Sequence, residues 1–329
     1  MTLRLVQLRL SDGSRGVASL SEAGGRLIVG AASTRALAEA AIAAGHGLAE
    51  QVAAQGLGDS VDVAAALAEG RVLPPIDHDD PAHLLLTGTG LTHLGSAEER
   101  DRMHAKLTAE TLTDSMKMFK LGLDGGKPAP GEEGVAPEWF YKGDGSLLTP
   151  PEADLVSPAF ALDGGDEAEI AALYLIGPDG TPHRLGYALA NEFSDHVHEQ
   201  QNYLYLAHSK LRPSALGPEL RVGELPQSVR GTSRIVRDGE TIWEKNFLSG
   251  EGNMSHSLAN LEAHHFKYPL FRRPGDAHVH YLGAAAFSFS QGIKVQPGDR
   301  FEIEADAFLL PLHNGMADAA AEAVSVKPL

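Results

Sequence analysis

Residues 166–177, DEAEIAALYLIG, constrain this chain more than any other stretch. Two carboxylates one residue apart run directly into a hydrophobic strand. Alternate side chains of a strand share a face, so Glu167 and Glu169 stand on the same side as Ala171, Leu173 and Leu175. Two like charges in such a place raise each other's pKa and resist desolvation unless something positive sits between them. Taken alone, the spacing leaves a second reading open, an exposed strand start carrying two solvated acids.

The rest of the chain supplies more strands of this kind. Residues 2–30 alternate and turn, which reads as short antiparallel strands joined by glycine-containing turns. The stretch STRALAEAAIAAGHGLAEQVAAQG predicts a helix opened by Ser33 or Thr34 and closed near Gly56, with a second short helix over 61–69. RVLPPI then ends a small N-terminal α+β domain, residues 1–75, and the main domain is expected over 80–329. That domain opens with the strand AHLLLTGTG. Residues 97–120 read as helical, with a break near 107–109, and 122–137 is Gly- and Pro-rich. A long aperiodic run is often a functional loop, so 122–134 resembles a mobile lid, with a plain surface loop as the other reading. Beyond residue 138 come the strand-like runs EWFYK, AEIAALYLIG, RLGYALANEF, HVHYLGAAAFSFS and DRFEIEA, with one helix over 196–209. The pattern does not repeat as βαβ, and no GxGxxG follows a strand and opens a helix, which argues against a dinucleotide fold. The expected class is mixed α/β, mainly β and mostly antiparallel, with peripheral helices.

A third acid, Glu192, sits in GYALANEFSDH where a second apolar strand ends. The chain has no cysteine, which excludes disulfides, a thiolate nucleophile and Cys-ligated zinc or iron–sulfur centres. Carboxylates offering only oxygen select a hard cation, Mg²⁺ with Mn²⁺ or Ca²⁺ as alternatives, and such an ion would offset both the repulsion and the burial of the acids. A formal charge of −17 argues against nucleic-acid binding, which depends on Lys and Arg neutralising phosphates. No run approaches the 18 apolar residues of a membrane span, and the opening MTLRLVQLRLSDG has no secretory h-region. A cytoplasmic protein with no membrane partner is the expectation.

From about Gly88 onward the chain resembles the fumarylacetoacetate hydrolase superfamily. The family strand EVELAVVIG is similar to EAEIAALYLIG, and the family's GYTVANDVSARD to GYALANEFSDH. A family lysine followed by a loop ending Leu-Gly-Pro resembles Lys210 in SKLRPSALGPEL, and an earlier one resembles Lys142 in EWFYKGDGSLLTPPE. The resemblance implies a β-sheet roll, antiparallel or mixed, with Glu167, Glu169 and Glu192 as the metal ligands. It further implies Lys210 at the reacting atoms, Lys142 and His196 beside the substrate, and a homodimer. Departures are also plain. The family's hydrolases carry a His–Glu pair in the lid, whereas GLTHLGSAEE places Ser96 at the histidine position and Glu99 at the acid, with His93 three residues earlier as a possible substitute. His196 stands where the family has the arginine of SARD, and HVHYLGAAAFSFSQG replaces the family's glycine loop.

These departures resemble a sugar-acid branch, related to 2-keto-3-deoxy-pentonate dehydratases and diketo-deoxy-acid hydrolases. Serine is not a water-activating base, so the expected activity is a metal-dependent dehydratase acting on a small 2-keto-3-deoxy sugar acid. The alternative is a hydrolase that cleaves a 2,4-diketo-3-deoxy acid to pyruvate and a hydroxy acid, and a sugar-binding protein on an enzyme scaffold is a third class. Outside these motifs, His278 and His280 share a strand face, as second metal ligands or pocket lining. Asp195 is open to a supporting or proton-carrying role, and His264, His265, Lys267, Arg272 and Arg273 form a local positive cluster suited to a surface loop, an interface or a carboxylate grip. NMSHSLANLE predicts a helix capped by Ser255 or Ser257.

Overall fold

The computed structural model describes residues 2–95 and 112–329; Ser96 and Glu99 lie outside the described residues. The N-terminal part forms β1 (Arg4–Arg9), β2 (Arg15–Ser21), β3 (Gly24–Ile28), α1 (Thr34–Ala44), α2 (Leu48–Gln55), β4 (Leu57–Val61) and α3 (Val63–Ala68). The single helix expected over 33–56 is two, because Gly45 caps α1 in the left-handed region at φ 68°. Ser33 is its N-cap, accepting from Ala36 N–H.

Next come β5 (Leu84–Gly90), α4 (Asp114–Gly125), β6 (Glu138–Asp144), β7 (Leu148–Thr149), β8 (Asp154–Ser157), β9 (Ala168–Ile176) and β10 (Pro182–Asn191). They are followed by α5 (His196–Gln201), α6 (Leu206–Ser209), β11 (Ser214–Leu216) and β12 (Leu220–Val222). The chain closes with β13 (Val229–Arg237), β14 (Glu240–Ser249), α7 (Leu258–Phe266), β15 (Ala277–Tyr281), β16 (Arg300–Ala305) and β17 (Leu312–Asp318). The class is mixed α/β and mainly β, as the sequence implies. Three local expectations are corrected. Helix α4 runs on to Gly125, so the first residues of the supposed 122–134 loop are helical, packed with Gly122 against His256. The helix over 196–209 is interrupted where Asn202 turns extended, at φ −164° and ψ 133°. Finally, the segment after Tyr281 leaves the sheet, so AAAFSFS is not strand.

A twelve-stranded sheet runs in the order β4-β3-β2-β1-β12-β10-β9-β15-β5-β6, with β11 on β10 and β7 on β11; a five-stranded sheet runs β14-β13-β16-β17-β8. Strand β9, near the middle, is buried along its whole length. Its period-two alternation divides it between two cores. Ile170, Ala172 and Tyr174 pack with Ile235, Trp243, Phe301 and Ile303 of the five-stranded sheet. Ala171, Leu173 and Leu175 pack with Leu5, Val17, Leu37, Leu216 and Val279. At about 25 cal/mol per Å² of apolar surface removed from water, such double burial gives this strand a large share of the hydrophobic stabilisation.

Candidate metal centre

The acids emerge where β9 and β10 diverge. The two strands pair antiparallel from Pro182↔Ile176 to Asn191↔Ala168, and the pairing continues past their ends through Glu192 N–H to Glu167 O (3.0 Å) and through mutual bonds between Gly165 and Ser194. Glu167 therefore precedes one strand and Glu192 follows the other, side by side. Asn191 adds a bond from Glu167 N–H to its Oδ1 (3.1 Å). Glu169 lies one pleat further in, opposite Ala190. One carboxylate oxygen from each of Glu167, Glu169 and Glu192 lies within 4.8 Å of the others. All three side chains are buried, at 2%, 1% and 0% exposure.

Two ammonium groups enter this cluster. Lys210, at the end of α6, donates to Glu167 Oε1 (2.6 Å), Glu192 Oε2 (2.7 Å) and Ser194 Oγ (3.1 Å), with its Nζ 4.9 Å from the centre of the Phe140 ring. Lys142, on β6, lies 2.8 Å from Glu192 Oε1 and donates to the carbonyls of Phe193 and Lys210. Burial pulls the Lys142 pKa down against the pull of Glu192. Burial likewise raises Glu192, while Lys142 and Lys210 hold it down. Glu169 differs. It accepts the Gly283 N–H (2.9 Å) and has no ion pair among the described residues. Burial first, then the charges of Glu192 and Glu167, push its pKa well above the usual carboxylate range.

His196 does not stand free on a wall. Its Nε2 is 3.0 Å from Glu167 Oε1. Its Nδ1 faces Asp163 Oδ2 at 3.4 Å, and neither of those two buried atoms has another hydrogen-bond partner among the described residues. Burial alone would depress the imidazole, but Asp163 and Glu167 outweigh it and raise it to about 10. With both ring nitrogens turned to carboxylates, His196 supports Glu167. Asp195 caps α5 through His198 N–H and pairs with Arg212 at 2.9 Å, so it too is committed to structure.

His93 is buried, and burial lowers its pKa to about 4. Its ring bonds Ser249 Oγ (2.8 Å) and approaches Thr92 Oγ1 (3.3 Å), not the acids. His278 and His280 belong to the opposite side of the sheet. They pair with Tyr174 and Ala172, whose side chains point away from Glu169, and they meet His265 rather than the acids. They are therefore neither lining nor second ligands of this centre. In the positive cluster, Arg273 is tied to Asp276 and Lys267 to His264, while His265 is buried beside Phe271. Sequence reasoning missed Asp163, Ser194, Gly283 and the Ser288–Asp166 pair. Of these, Asp166 beside Glu167 and Ser194 two residues after Glu192 both stood inside the motifs read from the sequence.

The donor set fits a hard divalent cation. The converging ligand atoms are all carboxylate oxygens, and Glu169, buried with one N–H, has no ion pair among the described residues and is only partly offset by Lys210.

No protein-family model matches the chain, and no curated protein does. Solved structures do. An apo 2-keto-3-deoxy-D-arabinonate dehydratase superposes with a TM-score of 0.70 at 18% identity, covering 97% of this chain and 100% of its own. The same enzyme complexed with magnesium and 2,5-dioxopentanoate gives 0.69 at 17% identity over 97% and 100%. The chain has their fold. A 2-hydroxyhepta-2,4-diene-1,7-dioate isomerase from Mycobacterium marinum shares it more distantly, at TM-score 0.58 and 15% identity over 97% and 100%. The shared fold thus extends over 97% of the chain.

Proposed function

We propose that this chain is a member of the fumarylacetoacetate hydrolase superfamily and a Mg²⁺-dependent dehydratase of a 2-keto-3-deoxy sugar acid. The observation that carries this reading is the buried Glu167–Glu169–Glu192 cluster with Lys210 inserted into it, on a fold shared over 97% of the chain with dehydratases of such an acid. In this reading the three glutamates hold the cation. When bound it supplies Lewis acidity, which favours the enolate of a 2-keto acid.

The chain's own groups do the rest. Lys210 meets the substrate from between Glu167 and Glu192, and in its neutral amine form takes the proton from C3. Lys142, behind Glu192, keeps that carboxylate ionised in a dry setting. Glu99 serves the departing C4 hydroxyl. The C3 proton passes to the Lys210 amine, hydroxide leaves C4 and takes a proton from the Glu99 carboxylic acid to become water, and the unsaturated 2-keto acid left by forming C3=C4 then tautomerises. Burial excludes bulk water, which protects the enolate from stray protonation.

Hydrolysis of a 2,4-diketo acid would need a base aimed at water. His93 is neutral near pH 7, but its ring is engaged by Ser249 and Thr92, which favours the dehydratase. With no helix of the described residues long and apolar enough to cross a membrane, we also propose a cytoplasmic location. The deciding assay offers 2-keto-3-deoxy-pentonates and 2,4-diketo-3-deoxy acids side by side with Mg²⁺. Water loss from the former is expected; pyruvate from the latter alone would overturn the proposal.

A further inference from the structure

The segment Phe287-Ser288-Phe289, outside the sheet, closes around His196. Both phenylalanine rings stack on the imidazole, with centroids 5.4 and 5.2 Å away and interplanar angles of 21° and 24°. Ser288 between them is anchored, its N–H 3.1 Å from Asp166 Oδ1 and its hydroxyl donating to the same oxygen. Asp166 immediately precedes Glu167, so the aromatic segment and the acid strand are tied at their roots. Gly165 leaves room beside the ring: a Cβ at that position would stand 2.1 Å from His196 Nδ1. Asp163 faces that nitrogen, and Asp195, pinned to Arg212, fixes the backbone from which His196 projects. Held by these neighbours, the ring presents its Nε2 to Glu167 Oε1 at 3.0 Å.

We propose that this bracket makes His196 the positioning residue for Glu167, holding its carboxylate in the one orientation that lets it share a divalent cation with Glu169 and Glu192. The inference rests on the reading of those acids as ligands. A glutamate has several rotatable bonds, and one already held in its binding rotamer loses little further freedom when the ion arrives. Residues that orient a ligand in this way typically govern metal affinity by 10- to 100-fold. The bracket also explains a pattern that spacing could not: a Gly-Gly pair, an Asp three residues before His196's carboxylate partner's neighbour, and two aromatics flanking a serine belong to one device.

The test measures Mn²⁺ binding by titration calorimetry on substrate-free protein, with thermal melts in chelator. H196L removes the N–H and keeps an apolar filling between the rings; about 10-fold or more weaker Mn²⁺ binding is expected in a folded protein. H196Q, which restores a donor, should recover affinity to within about 3-fold of the unaltered chain. A folded H196L that binds Mn²⁺ as tightly as the unaltered chain overturns the inference. Should H196L fail to fold, F289L and D163N loosen the bracket while keeping the imidazole; weaker binding in both supports it, and unchanged binding in both overturns it. Absence of Mn²⁺ binding by the unaltered chain overturns the reading of the acids themselves, which separates the two failures.

Discussion

Glu169 has the least compensation of the three acids, and its pKa lies well above the usual carboxylate value for that reason. A carboxyl that binds its proton more tightly folded than unfolded makes stability fall as pH rises, beginning near its ordinary value of 4.5 and continuing to its raised folded value. We therefore expect the metal-free protein to lose stability across that window, and E169Q to remove that part of the loss while abolishing divalent binding; melting curves between pH 5 and 9, with chelator for the first and with added Mn²⁺ for the second, read both. His196 acts in the same direction later, since a histidine raised to about 10 gives stability that is full below 6.5 and lost as pH passes through about 10. For Lys210 the expectation concerns rate. K210M should reduce kcat by about 10²- to 10⁴-fold, the usual worth of a general acid or base, with divalent binding retained. Turnover at the unaltered rate would remove the lysine from the mechanism.

At the scale of elements, the turn that leaves β15 carries the most consequence. Gly283 has φ 108°, and a Cβ there would meet Thr92 Oγ1 at 2.2 Å and Thr89 O at 3.0 Å. Its N–H holds Glu169, so G283A should both destabilise the fold, by about 1–3 kcal/mol, and weaken Mg²⁺ binding, read by melting and titration together. Nothing in the letters LGAAAF marks this turn, because its role depends on strands β5 and β15 lying in parallel register 193 residues apart. The acid strand was legible for the opposite reason: a continuous apolar run with period-two acids carries its own geometry. The β13–β14 hairpin could have been read and was not. Asp238-Gly239 between alternating residues is a strong two-residue hairpin signal, and both residues adopt positive φ, 52° and 83°. The histidines on β15 were legible as a face but not as which face, since that is set by pairing with β9.

Across the whole molecule, residues 1–75 extend the large sheet through β1 and β12, joined at Arg4↔Arg221 and Leu5↔Leu220. Leu5, Val17, Ile28 and Leu37 share one core with Leu173, Leu216 and Leu220. We propose the sequence boundary near residue 75 as a division that organises the chain without separating its core. A chain beginning at residue 80 should expose that apolar surface and aggregate or melt far lower than the full chain, which solubility and calorimetry would reveal; a stable, cooperative fragment would make the first 75 residues a dispensable addition. We propose in addition that the chain works as a homodimer, so light scattering should give about twice 34.8 kDa, and a mass of one chain refutes it.

Glu167, Glu169, Glu192 and Lys210 are together almost wholly shut off from solvent, none above 2% exposed. An ion held there cannot be plucked out by a chelator that waits at the surface; it leaves only when the protein opens. Release should then proceed at a rate set by the opening motion, the same in dilute and concentrated EDTA, and slow steeply on cooling. Stopped-flow chelation would read this directly as a plateau, so the centre behaves as a clock for the breathing of the sheet that encloses it.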